Sequence, residues 1–213
     1  MTFSEAVKAY RSILCKAHLN ELDNVAAKYA AYQKSLSPTS LKELAEVCVE
    51  GNHQHRIHKG AKIRAIGILE KNLPTIFTKT FANFEQLYDY IKNLIGGIDY
   101  IGLLTIYDVS LRIGHLFSKP IYPKKFLYLN SGAYLGARKM IGGRNLGHKI
   151  PLKNFFSYPQ IRSITGFRDL QSLPNSLVED FLCVMHNYLD VAPKGLIAGR
   201  NTTSTYKMIV KYS

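Results

Sequence analysis

The sequence predicts an all-α fold in one compact helical domain. Three observations carry that prediction. Apolar residues recur at helical spacing through most of the first 117 positions and again over 173–190. The runs are separated by Pro and Gly, at Ser37-Pro38, Gly51, Pro74 and Gly96-Gly97. A length of 213 residues with 46% hydrophobic content suits one core, or two small lobes sharing it.

Residues 3–34 are rich in Ala, Leu, Lys and Glu and read as the first helical run, which Ser37-Pro38 breaks. A second helix is expected over 40–50, capped by Thr39 or Ser40 with Glu43 placed for a capping box, and ended by Gly51. A third, over 54–71, closes before Pro74. A fourth, over 83–95, carries Phe84, Leu87, Tyr88, Ile91, Leu94 and Ile95 on one face. A fifth runs from Gly102 to Phe117. The stretch 118–170 is looser, punctuated by Pro120, Pro123, Pro151, Pro159 and several glycines, with one clear helix over 130–141. Helical patterning returns over 173–189, and the tail 202–212 reads as a short strand or an irregular extension. The single domain thus divides into N-terminal helices (1–75), a helix pair (83–117), a basic region (118–170) and a C-terminal helix (173–190).

Charge narrows the function. The chain has 28 Lys+Arg against 15 Asp+Glu, a net charge of +13. A disordered basic tail is excluded by the apolar content, and a charge this large points to an anionic partner rather than a small neutral metabolite. Asp108 and Asp169 are consecutive acids, so positions 109–168 hold none, while eleven of the bases lie there. Tyr122, Phe126, Tyr128, Tyr134, Phe155, Phe156 and Tyr158 are interleaved with them. A long acid-free basic stretch with aromatic residues reads as a polyanion surface, with nucleic acid favoured over an anionic membrane, an acidic protein or a merely solvated face.

The N-terminus is interrupted by Lys8, Arg11 and Lys16 and is not a signal peptide. No run of 18 apolar residues exists, so no membrane span is expected and a cytoplasmic location follows. Cys15, Cys48 and Cys183 form no CxxC pair and read as reduced core residues, unable to hold an iron–sulfur cluster. His53, His55 and His58 lack a nearby carboxylate or thiol to complete a metal shell and read as a solvated or phosphate-facing helix start. No cofactor and no metal are expected. The glycine-rich GARKMIGGRNLG over 136–147 lacks the Gly-Lys-Ser/Thr of a P-loop and reads as a flexible basic loop touching phosphates.

The turn between the fourth and fifth helices carries the sharpest hypothesis. Ile98 and Ile101 are spaced to tuck beneath it, and Gly97 and Gly102 allow positive φ and a close backbone approach. The exposed N–H groups at the start of the following helix, with Thr105 in its first turn, form an anion site. A glycine-containing turn between two core helices is the plain alternative.

In this pattern, and in the basic window that follows, the chain resembles the helix-hairpin-helix DNA glycosylase superfamily over about residues 54–190. The resemblance implies a two-lobed all-α domain that flips a base out of double-stranded DNA and hydrolyses its N-glycosidic bond, leaving an abasic site. Gly97, Ile98, Tyr100, Gly102 and Thr105 would hold one phosphate, and Lys124, Lys125, Arg138, Lys139, Arg144 and Lys149 the backbone. At the helix start where the family presents a catalytic aspartate, this chain has Asn130, also a good N-cap. An amide lacks the full negative charge for an oxocarbenium-like transition state but can position water, so Asp108 and Asp169 are further catalytic candidates. Asp108 otherwise pairs with Arg112 one turn on. Leu103 or Leu104 stands where bifunctional members carry a lysine, so no lyase step is expected. Tyr107, Tyr128 and Tyr134 are candidate base-pocket residues, and Tyr100 a stacking or wedging one, unless they are core or rim. Some prokaryotic members remove modified cytosines from phage DNA, which places antiviral defence beside repair. The expected protein is a monomer. The alternatives are a non-catalytic DNA-binding module and a basic protein-interaction domain.

Overall fold

The computed structural model describes residues 7–8, 10–51, 57–140, 155–157, 170, 173–185, 190–192 and 195–197. The chain is mostly helical, and its internal contacts divide it into two compact units. One comprises Leu19–Pro123; the other comprises Met1–His18 with Lys124–Ser213.

Helices build the first unit: most of α1 (Cys15–Ser35), α2 (Pro38–Val49), α3 (Lys59–Thr78), α4 (Phe84–Ile95) and α5 (Leu103–His115). α2 packs on α3 and α5, and α4 packs on α3 and α5. Leu44, Leu69, Leu73, Leu87, Ile91 and Val109 are fully buried between them. α2 starts two residues before the expected 40. Ser37 is its cap, accepting from the Ser40 N–H at 3.2 Å, and Pro38 stands in the first turn. Pro at that place costs no intrahelical bond and its fixed φ suits the helix, so it opens α2 rather than merely ending the run before it. α3 differs more. The sequence ends it before Pro74, yet it continues to Thr78 with Pro74 inside. The ring removes the hydrogen bond to the Glu70 carbonyl, but Leu73 and Ile76, both buried, hold the helix against the core on either side of it. α4 matches its expected span, with Asn83 accepting from the Gln86 N–H at 3.0 Å and Gln86 Oε1 accepting from the Ala82 N–H at 2.9 Å.

The second unit joins the beginning of the chain to its later part. A π-helical segment, Tyr10–Leu14, leads into α1. Strand β1 (Phe126–Tyr128) is followed by α6 (Ser131–Met140), β2 (Phe155–Ser157), α7 (Asn175–Met185), β3 (Asp190–Ala192) and β4 (Gly195–Ile197). β1 pairs antiparallel with β2, Leu127 opposite Phe156, and β3 with β4, Val191 opposite Leu196. These two ribbons are absent from the all-helical expectation: three-residue strands are too short to show a period of two. The helices expected over 130–141 and 173–189 are present as α6 and α7, whereas the tail 202–212 lies outside the described residues.

α6 and α7 pack closely because Gly132 and Gly136 lie one turn apart on α6. A Cβ on Gly132 would come within 2.8 Å of Cys183 Sγ, and one on Gly136 would meet the Leu182 carbonyl oxygen. Two glycines that read as loop punctuation are therefore a helix-packing pair. Asn175 at the start of α7 donates to the Phe126 carbonyl at 3.2 Å, holding β1 on the helix. Tyr10, 170 positions from Asp180, donates its phenol hydrogen to that carboxylate at 2.6 Å and meets Phe181 edge-on at 5.4 Å.

Gly136→Ala is expected to destabilise the second unit by about 1–3 kcal/mol through overpacking. Gly97→Ala, whose added Cβ meets nothing within 4 Å, should be neutral or stabilising by up to ~1 kcal/mol. Urea unfolding of both variants checks the contrast.

Candidate nucleic-acid interface

The turn between α4 and α5 is built by two inward anchors. Ile98 donates to the Ile95 carbonyl at 3.1 Å and Ile101 to the Ile98 carbonyl at 3.0 Å, and both isoleucine side chains are buried, as the spacing predicts. The residue lifted out between them is Tyr100, which is 75% exposed. It also has φ of 68°. The expectation that glycine supplies the positive φ is thus corrected. Gly96 is right-handed helical at φ −71°, Gly102 is extended at φ −93° and ψ 173°, and neither Gly97 nor Gly102 has a positive φ. Returning Ile101 to the core one residue after Tyr100 forces the turn at the tyrosine. That conformation costs about 1–2 kcal/mol in an L-residue.

Gly102 is the N-cap of α5 and makes no side-chain capping bond. The first backbone donor of α5 to bond back is Ile106, to the Gly102 carbonyl at 3.1 Å. No acid stands in the first turn, where Thr105 is buried. The helix start therefore keeps the N–H groups of Leu103 and Leu104 and the positive end of the dipole for an acceptor from outside. Exposed Asp99 is the nearest acid in sequence. The Tyr100 ring lies 5.4 Å from that of His58, tilted by 34°. His58 itself caps α3, its Nδ1 accepting from the Gly60 N–H at 3.2 Å. His53 and His55 lie outside the described residues.

Behind the tip, α5 is buried from Thr105 to Gly114. Tyr107 packs edge-on against Phe84 at 5.8 Å and is a core side chain. Asp108 is 7% exposed, and its expected ion pair with Arg112 is replaced. Arg112, 4% exposed, donates from Nη1 to the Cys48 carbonyl at 2.9 Å and pairs through Nη2 with Glu21 of α1. The last carbonyls of α2 have no intrahelical donors, so the guanidinium fork satisfies one of them while meeting a carboxylate. Gly51 makes the room, because a Cβ there would fall on this ion pair. Burial pushes the Cys48 thiol up to about 12, against the opposing effect of the Arg112 charge.

In the other unit, Asn130 precedes α6, and its carbonyl accepts the first helical bond, from the Tyr134 N–H at 3.1 Å. It is 6% exposed, follows buried Leu127, Tyr128 and Leu129, and its Nδ2 has no hydrogen-bond partner among the described residues. Tyr128 is buried and Tyr134 half-buried. Lys124 and Lys125 are exposed, the Lys125 ammonium lying 5.1 Å from the centre of the Phe126 ring. Arg138 and Lys139 lie on α6, but their side chains, like Arg144, Lys149 and Asp169, are outside the described residues. Asn130 and Asp108 belong to different units.

Sequence reasoning missed one buried polar group. Glu179 and Asp180 on α7 are both buried, beside Tyr10 and Cys15. Burial, and then the charge of Asp180, push the Tyr10 phenol far above its ordinary range and raise the Cys15 thiol. Two consecutive acids within the apolar run LVEDFLCVM were the available signal. Among the described residues, no group of His, Cys, Asp and Glu is placed to hold a metal, and no helix is long and apolar enough to cross a membrane. Comparison with known protein families, curated proteins and solved structures gives no match to this chain.

Arg112→Met should cost about 3–5 kcal/mol, because it removes the buried cation that joins the Cys48 carbonyl to the Glu21 carboxylate; chemical denaturation measures it. Stability should also fall in alkali. Cys48 ionises near 9.0 when unfolded and about 12 in the fold. Its contribution is therefore fully present below pH 9 and lost as pH rises toward 12. Thermal melts of Cys48→Ala should show a shallower decline across that window.

Proposed function

We propose that the protein binds DNA in the manner of the helix-hairpin-helix glycosylases and hydrolyses the N-glycosidic bond of an extruded, damaged or modified base. The observation that carries this reading is the start of α5: an uncapped helix N-terminus behind an exposed tyrosine, held by two buried isoleucines. Such a terminus holds a phosphate through backbone donors and the helix dipole, without reading bases. Charge supports the same reading. The unit Leu19–Pro123 carries 12 Lys+Arg against 10 Asp+Glu, and the other carries 16 against 5, so +11 of the chain's +13 belongs to the latter. A backbone-neutralising surface is the simplest use of that excess.

In this reading Asn130 contributes a buried amide at the start of α6, where it orients the sugar or the attacking water by hydrogen bonding. The acid candidates are Asp108 and Asp169. A non-catalytic DNA-binding module is the second reading, favoured by the amide at the place where the resemblance implies a carboxylate.

Salt dependence tests the DNA binding that both readings share, and abasic-site formation separates them. Affinity for a duplex should fall linearly against log salt, losing about 10³–10⁵ between 50 and 200 mM if six to ten phosphates are contacted. Asp99→Asn should tighten binding about two- to threefold by removing the acid nearest in sequence to the α5 terminus. Duplexes carrying damaged and modified bases should yield alkali-labile abasic sites, and Asn130→Ala should slow their formation about 10²-fold at unchanged DNA affinity. Salt-dependent binding without abasic sites selects the non-catalytic module; salt-insensitive affinity contradicts both.

A further inference from the structure

We propose that Tyr100 and His58 form a stacking platform for an unpaired nucleobase, with the adjoining phosphate at the first-turn N–H groups of α5. This rests on the reading of the chain as a nucleic-acid-binding protein, and it gives the hairpin a substrate form, an unpaired or locally opened strand, which that reading leaves open.

Tyr100 is 75% exposed, so its ring contributes little to the core. Its backbone sits at φ 68°, a conformation that a bulky side chain enters only when its surroundings impose it. Gly97, three residues earlier on the same turn, has open space about its Cα and no positive φ. The turn thus places a large aromatic, and not one of its glycines, at the strained and exposed position. Strained backbone clusters at binding sites, and an exposed aromatic held there offers its face to an outside partner.

His58 gives the ring a fixed orientation. Its Nδ1 is engaged at the start of α3, which ties the imidazole to a helix end, and the two rings lie 5.4 Å apart at 34°. A ring already beside a tethered imidazole loses less further freedom when a base stacks on it. Nucleobases of any sequence offer a π face, so such a platform is sequence-tolerant. The donors come next along the chain. Gly102 follows Tyr100 by two residues, a reach of at most about 7 Å, and its lack of a capping side chain leaves the Leu103 and Leu104 N–H groups for an oxyanion. One nucleotide presents both a π face and a phosphate at that scale. A paired base inside a duplex has its faces covered by its neighbours, so the platform suits an unpaired one.

The test uses the full chain and a short single-stranded oligonucleotide carrying 2-aminopurine, with an intact duplex of the same sequence beside it. The wild type is expected to quench the fluorophore and bind the single strand. Tyr100→Phe should stay within twofold in single-strand affinity, and Tyr100→Ala should weaken single-strand affinity about tenfold, more than it weakens duplex affinity. Tyr100→Gly should bind as weakly as the alanine variant yet melt at a higher temperature, because glycine accepts the positive φ. His58→Asn, which keeps a capping side chain, should lose about threefold in single-strand affinity. Equal single-strand affinity of Tyr100→Ala and wild type overturns the proposal. Duplex binding without single-strand binding or quenching overturns it while leaving the DNA-binding reading intact, and failure to bind either DNA overturns both.

Discussion

The guanidinium of Arg112 is the contact on which the first unit depends. It emerges from the last turn of α5 and reaches the Cys48 carbonyl at the end of α2 and the carboxylate of Glu21 on α1. Three helices are thereby joined through one buried cation. Taking that charge out of water is costly, and only good geometry with both partners offsets it. The site is shaped accordingly: Gly51 leaves the space, and Cys48 contributes a backbone oxygen while its thiol stays neutral. The same helix begins at Gly102, so the cation that fixes α5 also fixes the orientation of the open N-terminus.

That arrangement divides the labour within α5. Its body, from Thr105 to Gly114, is buried, and its opening turn is polar backbone without a capping side chain. An uncapped start is an unfavourable feature by itself, as is the left-handed tyrosine before it. Ile98 and Ile101 stabilise both by anchoring the turn on either side. The net charge lies mainly elsewhere in the chain, with the unit that holds Asn130 and α6. The uncapped helix start and the bulk of the positive charge therefore come from different parts of the sequence.

Much of this was legible in the sequence where the signals are local. The α4 and α5 spans follow from apolar periodicity, with Gly102 opening the second, and the burial of Ile98 and Ile101 follows from their spacing. Signals that need the tertiary structure were not. Pro74 reads as a terminator until Leu73 and Ile76 are seen to hold the helix through it. Arg112 reads as a partner for Asp108 one turn away, yet a fork satisfied by a carbonyl 64 positions back and a carboxylate 91 back prevails. The Tyr10–Asp180 hydrogen bond spans 170 positions, and nothing local announces it. Glycine composition misled in two directions: Gly132 and Gly136 serve close helix packing, and the positive φ of the hairpin fell to Tyr100.

The central claim is that nucleic acid is held at the start of α5. Amide hydrogen exchange of the full chain, with and without a short DNA oligonucleotide, tests it directly, because the backbone donors in question are themselves the reporters. The account predicts that the Leu103 and Leu104 amides, which lack acceptors along the helix, gain protection when DNA is added and lose that gain at high salt. Protection confined to other segments, with Leu103 and Leu104 exchanging at the same rate in both samples, would contradict it.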